Sequence, residues 1–403
     1  MELKKIVKYK DFSSLRNLLF SDYKYIFSLG SFCYTRMLLN IMGLEQFTGP
    51  FDWSASYDHN KNGVGGICGK IDRIFLSPER VFVKDKLLEC KVDSFFLPNQ
   101  THKCYVNLDN GFEYLHDFYK SLDDSDFDTE LLENNKKYER RFKRLQECIL
   151  KQDKILFVYI YEGERISIRN GNIVYEFGNS NFPLSSVITR IENFKTDYPN
   201  VHFLLLISDK SFDKTQHVYE KNGLDIYGIP SGLTINKSLK VEPHILSAFY
   251  DFANLKLRYY HSFVSNVSNF GRIGLVGFCN PENCGVWTNG EYSLLTINSY
   301  YEFSIIVLDA FPFLCIGKEE VNFDVYVGDT FVKSFSYKLK KSGQQSDLLS
   351  YRKFHLIKLH KSCSTCVLGI RFKEPVNSPA SYHFNNDKRN IGLCLRFIYL
   401  LSD

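Results

Sequence analysis

Between Tyr25 and about Ile229 the chain alternates short apolar runs with longer stretches of helical periodicity. YIFSLG (25–30), ILFVYI (155–160), VHFLLLIS (201–208) and LDIYGIP (224–230) are strand-sized and lack polar alternation. Helical patterns lie between them: YTRMLLNIMGL (34–44), a long polar stretch KKYERRFKRLQECILKQ (136–152) and LSSVITRIENFKTDY (184–198), with a loop-rich region after the first. Apolar strands separated by amphipathic helices predict a parallel sheet covered on both faces, a three-layer α/β domain. After Pro243 the texture changes. HILSAFYDFANLKLRYYHSFV (244–264) predicts a connecting helix, and beyond it come short alternating runs bounded by turn residues: SLLTI (293–297), YEFSIIVLDAF (301–311), VNFDVYVGDTFV (321–332), KFHLIKLH (353–360), VLGIRF (367–372) and IGLCLRFIYL (391–400). These predict an all-β sandwich. The expected division is 1–245 for the α/β domain, 246–270 for the connecting helix and 271–403 for the sandwich.

Composition narrows the class of partner. A net charge of +4 over 403 residues supplies no field that calls for nucleic acid. The longest apolar runs fall far short of the ~20 residues that span a bilayer. Eleven cysteines are too sparse for a disulfide scaffold, and the first residues carry positive charge without the apolar run of a secretory signal. The expectation is a reduced, soluble, cytoplasmic protein with no nucleic-acid partner and no transmembrane segment.

The sharpest chemical feature is SLGSFCYTRMLL (28–39). A strand ends near Gly30, Ser31 lies in the turn, and Cys33 opens a helix. Free amide N–H groups and the positive end of the helix favour an anion there, which lowers a thiol pKa and makes thiolate available near neutrality. The same amides would hold an oxyanion forming on an attacked carbonyl. A buried, unreactive cysteine at Cys33 is the alternative reading.

Five ordered blocks carry a resemblance: SLGSFC (28–33), TGPFDWSAS (48–56), LHDFY (115–119), KYERRFKRLQECI (137–149) and the apolar run that ends at Ile160. Together they resemble the bacterial family of papain-like cysteine peptidases, over roughly residues 23–210. The resemblance implies Cys33 as nucleophile and His116 as general base, with Asp52 and Asp117 as the acids that orient an imidazole. Asp117 follows His116 directly, so their side chains diverge, and Asp52 is the better orienter. The structural alternative for this block is a Gly49-Pro50 turn with Phe51 and Trp53 as core anchors and Asp52 hydrogen-bonding local backbone. The alternating strands and helices differ from the two-lobed papain architecture. A nucleophile after the first strand also looks like esterase and acetyltransferase folds that carry a Ser there and bring their His late. Val241-Glu242-Pro243-His244 occupies such a place, which makes His244 a rival base; the structural alternative is that it caps a connecting helix.

Landmarks in the C-terminal part resemble the β-sandwich module attached to bacterial envelope-polysaccharide enzymes: Gly277-Phe278, Pro281-Glu282, Gly285-Val286-Trp287-Thr288-Asn289-Gly290, Ser378-Pro379 and Asp387-Lys388-Arg389-Asn390-Ile391-Gly392. By that resemblance Glu282, Trp287, Asp387 and Arg389 form a sugar-binding patch; the structural alternative has Trp287 in the core and Asp387–Arg389 as a turn-stabilising pair. In the α/β part the Gly30–Ser31 turn at a strand end is where substrate or donor would bind. Cys284 stands where an aromatic residue is usual. Cys363 and Cys366 form a CxxC with Cys279 and Cys284 upstream, but without knuckle glycines or a second CxxC, so no metal is assigned. His355 and His360 read as exposed strand residues.

The expected activity is that of a cysteine-nucleophile hydrolase or acyltransferase acting on an ester, thioester or amide, in capsule or envelope-polysaccharide modification. The substrate is a glycan or an acylated small molecule. No cofactor is required beyond an activated acyl or sugar donor. The alternatives are a papain-like peptidase, and a glycosyl or other group transferase in which Cys33 is structural.

Overall fold

The computed structural model describes residues 19–30, 33–44, 48–52, 54–56, 66–75, 81–93, 101–109, 112–114, 117–161, 165–169, 172–176, 182–209, 211–230, 238–253, 256–263, 267–268, 271–339, 351–382 and 386–402. The chain divides into two compact units. One runs from 21 to 248 apart from 41–43, and the other takes 249–403 with 41–43 and the segment ending at Phe20.

In chain order the first unit carries β1 (Tyr25–Ser28), α1 (Cys33–Ile41), β2 (Ser54–Ser56), α2 (Gly66–Arg73), β3 (Leu87–Asp93), β4 (Thr101–Asn107), β5 (Phe112–Tyr114) and α3 (Phe127–Leu150). It continues with β6 (Ile155–Tyr161), β7 (Arg165–Arg169), β8 (Asn172–Glu176), α4 (Leu184–Asp197), β9 (Val201–Asp209), β10 (Gln216–Lys221), β11 (Leu224–Pro230) and α5 (Ser238–Phe252). The expected apolar runs form one sheet in the order β1-β6-β9-β11-β10. Its first four strands are parallel, and β10 pairs antiparallel with β11 at the edge. Every residue of β6 is buried, as its unbroken apolar sequence requires. On one face Phe27, Phe157 and Phe203 join a single core cluster with Tyr138, Phe142 and Leu145 of α3 and Val187 and Ile191 of α4.

The spacing of the buried positions explains α3. Phe127, Asn134, Tyr138, Phe142, Leu145 and Ile149 recur at helical intervals, while Asp128 and Glu130 in the first turn suit the positive helix end. The basic run 136–144 is therefore in large part the outer side of a core helix.

The loop-rich region expected after α1 holds a second sheet, ordered β2-β5-β4-β3-β8-β7. It is antiparallel apart from the β3–β8 pair. Its strands are short and mostly mixed in polarity, so no apolar run announced them.

The second unit carries β12 (Lys256–Ser262), β13 (Val267–Ser268), β14 (Arg272–Val276), β15 (Val286–Asn289), β16 (Tyr292–Pro312), β17 (Glu320–Val327), β18 (Thr330–Lys338), β19 (Lys353–Phe372) and β20 (Ile391–Ser402). All are linked in one nine-stranded sheet, and all the pairings are antiparallel. Runs expected as separate strands merge: 293–297 and 301–311 are both in β16, while 353–360 and 367–372 are both in β19. Between Asn298 and Ile305 the register shifts and β16 changes neighbours, from β14 to β20, while keeping β19. The expected helix over 244–264, and with it the 246–270 connection, is shorter and earlier. The helix ends at Phe252, and 256–262 is β12, paired with β20. Aromatic, β-favouring residues such as Tyr259 and Tyr260 find a partner strand there, and that pairing overrides helical periodicity.

His355, expected to be exposed, is only 4% exposed. Its Nε2 lies 2.5 Å from the Tyr337 hydroxyl, which also donates to the Ala310 carbonyl at 3.0 Å. Burial, with Lys353 and Lys333 nearby, pushes its pKa down to about 3, so the ring is neutral. A buried ion pair lies close by: Arg352 donates Nε and Nη2 to the Asp309 carboxylate at 2.7 and 2.5 Å. Both side chains are almost wholly out of water, so removing one partner strands a charge in the core. Asp309→Ala is expected to cost roughly 3–5 kcal/mol in urea unfolding, and the double replacement by apolar residues less than Asp309→Ala alone. A single-variant cost under about 1 kcal/mol, the range of an exposed pair, contradicts this account.

Candidate active site at the end of the first strand

The site is built where β1 stops. Gly30 follows β1 with φ +48, a left-handed conformation that glycine adopts without penalty. The chain turns there and α1 begins at Cys33. The side chain of Cys33 lies outside the described residues, as do Ser31, Trp53 and His116. The frame around them is described in detail.

Gly30 was expected to contact substrate, but its groups are used internally. Its N–H donates to Ser28 Oγ at 3.0 Å, and its carbonyl accepts from Lys70 Nζ. Lys70, on α2, is 0% exposed. The same ammonium donates to the Ser54 carbonyl at 3.0 Å and lies over the rings of Phe51 and Phe112 at 6.0 and 5.6 Å. One cation thus ties the turn after β1 to β2.

Asp52 makes the second tie. Its Oδ2 accepts the Gly49 N–H at 2.7 Å and pairs with Arg36 Nη1 at 2.9 Å, with the two side chains 1% and 9% exposed. Arg36 stands three residues after Cys33 on α1, the spacing that puts two residues on one face of a helix. Gly49 allows the approach: a Cβ there would stand 3.3 Å from both Asp52 Oδ1 and the Phe27 ring. Asp52 Oδ1 is buried and makes no hydrogen bond among the described residues. Burial pushes the Asp52 carboxyl up to about 6, against the pull of Arg36 and the Gly49 amide. Phe51, the preceding residue, is a core anchor as the structural reading expected, edge-on to Phe112 and Phe142 at 6.2 and 5.4 Å.

The remaining candidates separate. Asp117 is buried, but both carboxylate oxygens serve α3: Tyr138 donates its hydroxyl at 2.7 Å and Lys137 lies 2.8 Å away. His244 is not brought to β1. Its Nδ1 lies 3.3 Å from Thr215 Oγ1, next to the start of β10. That strand is at the opposite edge of the sheet, four spacings or about 19 Å from β1. In the second unit Trp287 is 5% exposed and edge-on to Phe311 at 5.3 Å, a core residue rather than a stacking platform. Glu282, Asp387 and Arg389 do converge, though on each other. Arg389 donates to Asp387 through Nε at 2.9 Å and Nη2 at 2.6 Å, and to Glu282 through Nη1.

Sequence reasoning missed Lys70 and Arg36. Lys70 had a readable signal: it stands among Ile67, Ile71 and Ile74, on the apolar stripe of its helix, where a lone lysine has to find acceptors.

Residues 24–173 match the family described as "Putative papain-like cysteine peptidase (DUF1796)". The resemblance expected over 23–210 therefore holds for that segment, less than half of the chain. It includes Cys33, Asp52, Lys70 and His116; His244 and the β unit lie outside it. No curated protein matches the chain. Among solved structures, an acetyl xylan esterase from the rumen bacterium Butyrivibrio proteoclasticus is similar at 9% identity over 36% of this chain and 33% of the esterase, with a TM-score of 0.24. A family 35 carbohydrate-binding module from Clostridium thermocellum aligns at 8% identity over 36% of this chain and 97% of the module, with a TM-score of 0.22. A cycloisomaltooligosaccharide glucanotransferase from Paenibacillus sp. aligns at 13% identity over 86% of this chain and 44% of its own, at 0.25. Scores this low carry no activity across, and the chain spans about a third of the esterase's length. Among the described residues no helix is long and apolar enough to cross a membrane.

Lys70→Met removes the ammonium that donates to both the Gly30 and Ser54 carbonyls. The expected loss is roughly 2–4 kcal/mol in urea unfolding. A cost within ~0.5 kcal/mol, that of a surface substitution, contradicts the bridge.

Proposed function

We propose that the first unit is a cysteine-dependent hydrolase or acyltransferase with Cys33 as nucleophile, His116 as general base and Asp52 as the residue that orients the imidazole. The observation that carries this reading is the pair of ties made by Lys70 and Arg36. Lys70 links Gly30, three residues before Cys33, to Ser54. Ser54 pairs with Tyr114, two residues before His116, and Asp52 precedes Ser54 by the same two residues. The buried, unbonded Oδ1 of Asp52 suits an imidazole N–H.

Electrostatics support the same assignment. Arg36, Lys70 and Arg141 all act on the Asp52 carboxylate. A thiol near cations and at a helix N-terminus ionises more readily. The thiolate attacks the carbonyl carbon of an ester, thioester or amide, and the C–O, C–S or C–N bond breaks. The imidazolium returns its proton to the leaving group, and the acyl group stays on sulfur as a thioester. Water, or a hydroxyl for a transferase, then attacks with the imidazole taking its proton, and Cys33 is regenerated.

A glycan-linked acyl group in envelope-polysaccharide modification is the substrate we favour, on the strength of the landmarks at 277–297 and 378–400. Peptide hydrolysis is the second reading, favoured by the description of the matched family.

Cys33→Ser is expected to lower turnover of p-nitrophenyl and acyl-thioester probes about a thousand-fold or more while the fold is retained by circular dichroism. Mass spectrometry after brief iodoacetamide treatment near pH 7 is expected to find Cys33 alkylated first of the eleven cysteines. A fully active serine variant removes the nucleophile, and cleavage of casein peptides but not esters selects the peptidase. Because ionised Asp52 stabilises the imidazolium that His116 forms, the rate is expected to fall as pH drops through about 6. Asp52→Asn should displace that limb of the profile, and an unchanged limb removes Asp52 from the assignment.

A further inference from the structure

A separate pair of cysteines, with no part in the chemistry assigned to Cys33, belongs to the β unit. Cys284 sits in a tight turn before β15, closed by reciprocal bonds between Glu282 and Gly285 at 2.7 and 3.0 Å. Cys394 belongs to β20, opposite Trp287 of β15. Their sulfur atoms are 3.9 Å apart, and the Cys394 thiol also faces the Cys284 carbonyl at 3.6 Å. Cys394 is 0% exposed, whereas Cys284 is only partly buried. One thiol is thus open to a small oxidant and its partner is shielded behind it.

We propose that Cys284 and Cys394 form a reversible dithiol–disulfide pair, with Cys284 the cysteine that meets the oxidant and Cys394 the one that resolves it. A disulfide needs the sulfurs at ~2.0 Å, a closure of under two ångströms that the turn-borne Cys284 side chain makes more easily than the strand-borne Cys394. The chemistry balances with a peroxide as oxidant. The Cys284 thiolate attacks one peroxide oxygen, the O–O bond breaks, and the sulfenic acid and one water result after proton uptake. The sulfur of Cys394 then displaces hydroxide from that sulfenic acid, its proton leaves with it as a second water, and the S–S bond is formed. Each thiol is oxidised by one electron and the peroxide is reduced by two. The surroundings favour this order: the Cys394 S–H pointing at Cys284 brings the Cys284 pKa down to about 7, and burial pushes that of Cys394 up.

Neighbouring groups give the bond a consequence. Cys284 Sγ now lies 3.8 Å from Glu282 Oε2, and Glu282 is the carboxylate that Arg389 bridges to Asp387. Oxidation removes the Cys284 contact from Glu282 and staples the turn directly to β20.

The test uses the full-length protein treated with hydrogen peroxide near pH 7.5, alkylated, digested without reductant and mapped by mass spectrometry. The expected product is a linked peptide pair containing Cys284 and Cys394, ~2 Da below the summed thiols and restored by dithiothreitol. Cys284→Ser should fold normally and leave Cys394 alkylatable after denaturation, even at high peroxide. Over-oxidation of Cys284 to sulfinic acid with Cys394 still free, or linkage of Cys284 to Cys279 instead, overturns the proposal. Cys33 peptides from the same digest report separately on the nucleophile, so failure of one assignment is distinguishable from failure of the other.

Discussion

A lysine without solvent contact is among the most expensive groups a protein can hold, and Lys70 is held by main-chain oxygens. Its two described acceptors, the Gly30 and Ser54 carbonyls, come from segments with little else to fix their separation: a turn at the end of a four-residue strand and a three-residue strand. Because the cation cannot be buried without them, it specifies where both must be. The Arg36–Asp52 pair repeats this logic a turn along α1. The geometry around Cys33 therefore depends on two buried charges more than on the hydrogen bonds of the sheet alone.

That arrangement shapes how Asp52 behaves. Its Oδ2 is occupied by a guanidinium and an amide, while Oδ1 stands in a dry site. An acid held this way is fixed in direction, a property that suits orienting a neighbouring donor rather than attacking a substrate. Asp117, with Tyr138 and Lys137 on its two oxygens, has the opposite character: it fastens the segment after His116 to α3.

What could be read from residues alone followed the strength of the local signal. The unbroken apolar runs at 155–160 and 201–208 read as central strands, and α3 was legible from 136 onward through Tyr138, Phe142 and Ile149, though the helix begins at Phe127. The six-stranded sheet was invisible because a stretch such as LLECKVD is short and mixed in polarity, and it is a strand by virtue of its neighbours. At the site, the Cys33 helix start and Asp52 were legible, but Lys70 and Arg36 were passed over because a lone cation in a helix usually faces water. A histidine in a polar strand reads as surface, but long-range packing buries His355, and the same packing decides for Trp287 between core anchor and stacking platform. His244 stands inside α5 beside Thr215, and strand order, which puts β10 and β1 at opposite edges, has no local trace.

The pairing of β1 has an implication for biosynthesis. Among the described residues its partner in the parallel sheet is β6, roughly 130 residues downstream. A chain emerging from the ribosome exposes residues 25–41 long before β6 exists, and closing so wide a loop draws no support from neighbouring contacts until then. The strand that leads into the Gly30 turn therefore cannot take its place in the sheet until the whole intervening segment and α3 have been made, which ties completion of this edge to a late stage of synthesis.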